Sequence, residues 1–302
     1  MSRVTDSQVL AFIRRTEEIY AADSNQAAPE QNRRNYDAMC AVFHAPHPDG
    51  VSTHDRRIGG VPCRVYERRD AVPGAILFSH GGGFVVGGLN SHDDVCAEIC
   101  SATGRRVVSV DYRLAPEHRY PAALDDMDAV WQALDCDGPR LACGDSAGGN
   151  LTAALCLRMR RTGGKMPDGA VLIYPGLGGD MMAPSYDLNA DAPLLRRVDI
   201  ESYKGVYAPA ETTDSEARPF LAETLDGLPS MLVVTADVDP LRDDGTRWND
   251  RLREAGITST LQNDAQLVHG HLRARHMSYR AKESFAAVCF WLGRSFRTVD
   301  HR

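Results

Sequence analysis

The sequence predicts an α/β fold built on a mostly parallel sheet. Short, β-rich apolar runs recur along the chain, and stripes of apolar residues at helical spacing lie between several of them. Strands covered on both faces read as near-continuous apolar runs, which is the pattern here. A chain of 302 residues is long enough to bury one sizeable core, so residues 1–302 are expected to form a single domain.

The elements come in order. Val9, Phe12, Ile13, Ile19 and Tyr20 recur at helical spacing and predict an amphipathic helix over residues 5–21. Next is a polar stretch from Asp23 to Arg34, then a loop with Pro and His at Ala45–Gly50. Val61–Glu67 reads as a strand, with Gly59–Gly60 as a hairpin turn before it. Ala75–Ser79, Val107–Val110, Leu141–Cys143, Ala170–Tyr174 and Met231–Thr235 are the buried strands, and Thr258–Gln262 is a further one. Met127, Val130, Trp131 and Leu134 line one face of a helix. A second helix runs from about Gly148 to Arg161, and Phe285, Val288, Cys289, Leu292 and Phe296 form another helical stripe. Residues 176–229 break the alternation with Pro, Asp and Met and no clear strand. They are expected to lie over the sheet, so that residues 1–45 and 176–229 together make a cap.

Composition narrows the function classes. Hydrophobic content of 43% and charged content of 25% are ordinary for a soluble globular protein. The net charge of −7 repels phosphate backbones, so no nucleic-acid partner is expected. The segment through Arg15 lacks the apolar core of a signal peptide, and no run approaches the roughly 18 apolar residues of a membrane span. No stable membrane insertion is expected. The eight cysteines are dispersed, and the closest pair, Cys96 and Cys100, is not a CxxC. They read as free thiols in a reducing, cytoplasmic compartment.

In parallel sheets ligands bind at the carboxyl ends of the strands, so the loops leaving those ends are the places to look for chemistry. Leu141–Cys143 leads into Gly144-Asp145-Ser146-Ala147-Gly148-Gly149-Asn150. A bare GxSxG is weak, but between a strand and a helix it is placed as a nucleophile elbow. Its glycines permit the sharp turn, and Ser146 would stand at a helix N-terminus that favours developing negative charge. Ala75–Ser79 leads into His80-Gly81-Gly82-Gly83-Phe84. Three successive glycines expose backbone N–H groups, the donors that acyl transfer needs for the oxygen of its tetrahedral intermediate. A carboxylate and a histidine should then come after the serine in chain order. Asp237 and Asp239 stand after Met231–Thr235, and His269 and His271 after Thr258–Gln262. The histidine would take the serine proton, and the carboxylate would hold its tautomer.

These loops, with Asp111-Tyr112-Arg113-Leu114-Ala115-Pro116-Glu117-His118, Pro121-Ala122-Ala123-Leu124-Asp125-Asp126 and Asp239-Pro240-Leu241-Arg242-Asp243, extend over about residues 75–275. The chain thereby resembles the hormone-sensitive-lipase-like bacterial esterases of the α/β-hydrolase superfamily, in the branch whose elbow reads GDSAGG, which is similar to acetyl esterases. The resemblance implies an α/β-hydrolase fold with an eight-stranded sheet and a helical cap, and cofactor-free hydrolysis of short acyl esters. It assigns Asp239 rather than Asp237 as the acid and His269 as the base, with oxyanion N–H groups from Gly82, Gly83 and Ala147. His80, Gly81, Asp145 and Glu117 are expected to support the site, Asp145 and Glu117 through hydrogen bonds behind it. A homodimer through an edge strand is expected on the same likeness.

The chain also departs from the family. An aromatic residue usually comes after the His-Gly pair, whereas this chain has His271. Asn263-Asp264-Ala265-Gln266 replaces the usual tyrosine, proline and glycine before the base. His271 therefore stays open as an alternative base. His269, His271 and His276 lack a metal-ligand spacing, so no metal is expected. His92, Asp93 and Asp94 read as a helix start. Phe84, Met181, Met182 and Tyr207 are candidates for the pocket wall. Two rival readings remain: a non-catalytic small-molecule receptor on the same fold, and amide, lactone or carbamate cleavage by the same triad.

Overall fold

In a computed structural model, which describes residues 4–20 and 27–296, two amphipathic helices precede the sheet. Helix α1 spans Ser7–Glu17 and α2 spans Pro29–Phe43. Asp6 caps α1, its carboxylate accepting from the N–H groups of Gln8 and Val9. The helix expected over 5–21 thus ends earlier, and residue 21 lies outside the described residues. Helix α2 corrects the reading of a merely polar stretch as far as Arg34. Tyr36, Met39, Cys40 and Phe43 bury one face at helical spacing while the opposite face stays charged. Residues 23–26 of that stretch lie outside the described residues.

The sheet begins with β1 (Val51–Ile58) and β2 (Val61–Arg68), a hairpin that turns at Gly59 and Gly60. Strand β1 was not anticipated: only Ile58 of its eight residues is buried, and an exposed edge strand rich in charge has no apolar pattern to read. Then come β3 (Ala75–Ser79), α3 (Asp93–Thr103), β4 (Arg106–Val110), α4 (Ala122–Ala133), β5 (Arg140–Asp145), α5 (Ala147–Thr162) and β6 (Gly169–Ile173). Helices α6 (Pro184–Leu188) and α7 (Arg197–Tyr207) occupy the irregular segment. The chain closes with β7 (Met231–Val238), α8 (Arg242–Glu254), β8 (Ser259–Val268), a 3₁₀ turn at His271–His276 and α9 (Tyr279–Gly293). Phe296, read as part of the last stripe, lies beyond α9 but still packs edge-on to Trp291.

The eight strands lie in the order β1-β2-β4-β3-β5-β6-β7-β8, antiparallel at β1-β2-β4 and parallel from β4 onward. Alternate residues feed opposite faces, as the pleat requires. On β3, Ala75 and Leu77 meet Leu124, Met127 and Leu155 of α4 and α5. Ile76 and Phe78 meet Ile99, Val288 and Leu292 of α3 and α9. Helix α8 extends the first layer, with Trp248 and Leu252 against Val233. The fold is the α/β-hydrolase fold. β7 and β8 keep register from Met231↔Ser259 to Ala236↔Asp264, then slip, so that Val238 faces Val268. Gln266 lies in the slipped stretch with φ of 68°, and its side-chain oxygen takes the Thr5 N–H at 2.6 Å.

Over the carboxyl ends of the strands, Val9, Phe12, Met39 and Phe43 pack with Val85, Ala192 and Leu267. Of residues 176–229, the stretch 191–204 overhangs the same end. Ala222, Leu225 and Leu228 instead pack beside α5 and α8. No described helix is long and apolar enough to cross a membrane. All eight cysteines are free thiols.

Candidate active site

Strand ends set every part of the site. Ser146 stands between β5 and α5 with φ 53° and ψ −116°, a conformation that costs a non-glycine residue about 1–3 kcal/mol. The strand-to-helix turn is held by Ser146 N–H donating to Ile173 O at 2.8 Å and Asn150 N–H donating to Ser146 O at 3.1 Å. The flanking glycine is sterically required: a Cβ on Gly148 would stand 1.9 Å from Ser79 O. The Ser79 hydroxyl fixes that approach by donating to Gly148 O at 2.7 Å.

The Ser146 hydroxyl lies 2.8 Å from Nε2 of His269, and Nδ1 of His269 lies 2.7 Å from Oδ2 of Asp239. Asp239 is fully buried, and its other oxygen accepts the Leu241 N–H at 2.8 Å. An acceptor-only carboxylate requires the proton on Nδ1, which leaves Nε2 free to accept from the serine. Tyr174 packs against the imidazole with ring centroids 4.8 Å apart.

The structure separates the open alternatives. His271 is fully buried away from Ser146, with Nδ1 3.0 Å from Val268 O and Nε2 3.1 Å from the Ser284 hydroxyl. Tyr174 lies edge-on to it at 4.9 Å. The Asp237 carboxylate lies 3.6 Å from Arg242, on the flank of the strand end.

Beside Ser146 runs the loop after β3. Gly82 has φ of 125°, which an L side chain rarely adopts, and its carbonyl accepts from Val85 and Val86 at 3.0 Å. Gly82, Gly83 and Ala147 line the cavity over Ser146. Ala147 is the first residue of α5, whose opening N–H groups have no intrahelical acceptor. Asp145 holds this loop: its Oδ1 accepts the Gly81 N–H at 2.7 Å and lies 3.2 Å from Nε2 of His92. Burial alone would raise its pKa, but His92, Arg273 and the Gly81 N–H outweigh it and hold the carboxyl at about 2. His80 lies beneath, its Nδ1 2.7 Å from Gly81 O and its ring stacked on Tyr112 at 4.2 Å. Burial and the neighbouring His92 lower its pKa to about 4, so it stays neutral.

Glu117 is placed differently from the expectation. It is exposed, and among the described residues it bonds to Arg33 at 2.6 Å rather than to a site residue. Arg33 in turn donates to Val85 O at 2.9 Å and Ala115 O at 3.1 Å. Sequence reading missed Arg33, and it missed His92 and Tyr203 as site neighbours. Tyr203 of α7 stands where a side chain on Gly83 would be, 2.6 Å from that Cβ position. Each is a single residue with no local motif.

The cavity holds about 310 Å³. Its floor is Ser146, His269 and the glycine loop, and its walls come from Thr16, Tyr36, Met39, residues 191–196 and the inner face of α7. Phe84 lines it, as expected. Tyr207 does not: it stacks beneath Phe84 at 3.6 Å. Met182 points to solvent, 74% exposed, and Met181 packs with Tyr186 and Leu195.

His269, His271 and His276 do not converge, since His276 pairs with Glu98 at 2.8 Å. Among the described residues the one group with ligand spacing is His44, His47 and Asp93, at the start of α3. Asp93 already accepts from Arg64 at 2.9 Å and Tyr66 at 2.7 Å. Its other oxygen lies 2.7 Å from Nε2 of His47.

Comparison with known proteins bears on the family and the fold. A family model described as the alpha/beta hydrolase fold matches residues 76–273. Carboxylesterase NlhH of Mycobacterium tuberculosis is 40% identical over 228 residues, which cover 70% of this chain and 71% of that protein. Ethyl acetate hydrolase of Pseudomonas putida is 31% identical over 281 residues, 86% of this chain and 88% of its own. A solved esterase from the bacterial hormone-sensitive lipase family matches with a TM-score of 0.88 and 27% identity, over 96% of this chain and 98% of that one. The chain belongs to the α/β-hydrolase family, in its hormone-sensitive-lipase-like branch.

Proposed function

We propose that this carboxylic ester hydrolase cleaves short-chain acyl esters through Ser146, His269 and Asp239. The observation that carries the reading is the unbroken line of hydrogen bonds from the Ser146 hydroxyl through His269 to Asp239, at the floor of the cavity. Ser146 Oγ attacks the ester carbonyl while His269 Nε2 takes its proton. The N–H groups of Gly82, Gly83 and Ala147 receive the developing oxyanion, and Asp239 stabilises the imidazolium. His269 returns the proton to the leaving alcohol. Water then enters, gives its proton to the same Nε2, and releases the acid from the acyl-enzyme. No metal or cofactor is required for either half-reaction.

A cavity of about 310 Å³ is at the small end of ligand pockets, which run from roughly 300 to 1,000 Å³. That favours acetyl and butyryl groups over long chains. Of the expected cap, α1, α2 and the stretch 191–204 supply its walls. The test is hydrolysis of p-nitrophenyl acetate, butyrate, octanoate and palmitate, with Ser146→Ala as control. Turnover should peak at the short esters and fall about 10⁶-fold in the variant. Folded wild-type protein that leaves all four esters intact would overturn the proposal and favour a binding role.

A further inference from the structure

The cavity over Ser146 contains a cation that the ester chemistry does not use. Arg273 lies in the 3₁₀ turn after β8, and its side chain folds back beside His269: a Cβ on Gly270 would stand 2.4 Å from one of its terminal nitrogens. The guanidinium lies 5.7 Å from the Tyr36 ring centroid and donates to the Tyr36 hydroxyl at 3.2 Å. Its Nε is buried with no acceptor. Among the described residues, no carboxylate forms an ion pair or hydrogen bond with it. A guanidinium has five N–H donors, and a neutral phenol satisfies one.

The acidic groups around the cavity are otherwise engaged or remote. Asp145 acts on Arg273 through space but accepts its hydrogen bonds from Gly81 and His92. Asp199 is paired with Arg196 at 2.8 Å. Glu17 and Asp191 are exposed at the rim. Lys204 adds a second cation to the wall, its Nζ 5.6 Å from the Tyr186 ring centroid and, among the described residues, without an ion-pair partner. Leaving a largely buried guanidinium without an anion is costly unless a ligand supplies one.

We infer that Arg273 binds a carboxylate carried by the substrate, so that the favoured esters are acidic ones, half-esters of dicarboxylic acids among them. This inference rests on the esterase reading above. A planar, two-pronged donor beside the reacting centre suits a carboxylate better than a neutral chain. Lys204 reinforces the charge without the same fork.

The experiment compares monoethyl succinate, glutarate and adipate with neutral ethyl esters of equal chain length, by titration of released acid at constant pH. In wild-type protein at least one half-ester should exceed its neutral counterpart by about tenfold in kcat/KM, through KM. Arg273→Met should abolish that ratio, Arg273→Lys should retain part of it, and Lys204→Met should reduce it less than Arg273→Met. Calorimetric titration of glutarate into wild type and Arg273→Met reads the site without turnover, and binding should vanish in the variant. If neutral esters equal or exceed the half-esters and glutarate does not bind, the inference is wrong and Arg273 only clamps Tyr36. Failure on every nitrophenyl ester would overturn the esterase reading instead, while the glutarate titration would still decide the anion site. Should Arg273→Met not fold, the wild-type ratio and the Arg273→Lys titration decide it.

Discussion

The floor of the cavity sits on the ends of buried strands, whereas its roof is carried by α1, α2, α7 and the connection before α7. At the floor, Asp239 is fully buried and both its oxygens are engaged, by Leu241 and His269. In the roof, Glu17 and Asp191 reach solvent and Tyr203 is only half-buried. The floor therefore holds the groups of the proposed triad, and the roof holds the walls of the cavity. Damage to the floor should cost rate, and damage to the roof should cost selectivity.

The largest expected effect is at the acid. Asp239→Asn should lower kcat by about 10⁴ with Tm little changed, as in the triad template, while Asp237→Asn should cost less than about tenfold. Equal losses would break the distinction between the two carboxylates. Next is His80, buried beneath the glycine loop. Unfolded, its imidazole takes a proton near pH 6.5, but folded only near pH 4. The unfolded chain thus binds the extra proton in between. The contribution is fully present above pH 6.5 and is lost as pH falls toward 4, by about 3 kcal/mol in all. Thermal melts across that range should show this slope in wild type and lose it in His80→Asn.

The roof makes smaller claims. Tyr203→Ala should move the acyl-chain optimum toward longer esters, with the octanoate-to-acetate ratio of kcat/KM rising about tenfold and Ser146 still reactive. A uniform fall for all chain lengths would place Tyr203 in the floor instead. Smallest is Glu117→Gln. An exposed pair with Arg33 is worth about 0–1 kcal/mol, so urea melts should shift by less than that and kcat should stay within about twofold. A loss of 10²-fold would give Glu117 the close support that its hydrogen bonds do not suggest.

The same division governs what the sequence reveals. Strands such as β3 and β6 are buried on both faces, so their apolar runs are legible. The elbow and the glycine loop are legible because close backbone approach admits only glycine at Gly148 and a positive φ favours it at Gly82. Helix α2 and strand β1 were missed because polar residues dilute their patterns. Arg33, His92 and Arg273 could not be read at all: each acts through a partner distant in the chain, and a lone arginine or histidine carries no spacing to decode. Residues 263–266 looked like a departure from the family, and they lie in and just before the slip between β7 and β8.

That slip turns surplus chain into a mooring. From Ala236↔Asp264 to Val238↔Val268, β8 runs four residues while β7 runs two. The excess corresponds to about 6.6 Å of extended strand, which the ladder can only put out to one side. The pairing of Asp239 with His269 does not depend on it: with two residues fewer, regular pairing would still bring the two side by side. The bulging residues serve a different end of the molecule. Gln266 reaches out of the sheet, and its side-chain oxygen accepts from the Thr5 N–H, the Thr5 hydroxyl at 3.0 Å and the Asp6 N–H at 3.3 Å. Asp6 is the cap of α1, so the first helix is tied by its cap to the strand that leads into His269. The enzyme thus hangs its covering on the same beam that carries its chemistry, three residues from the histidine.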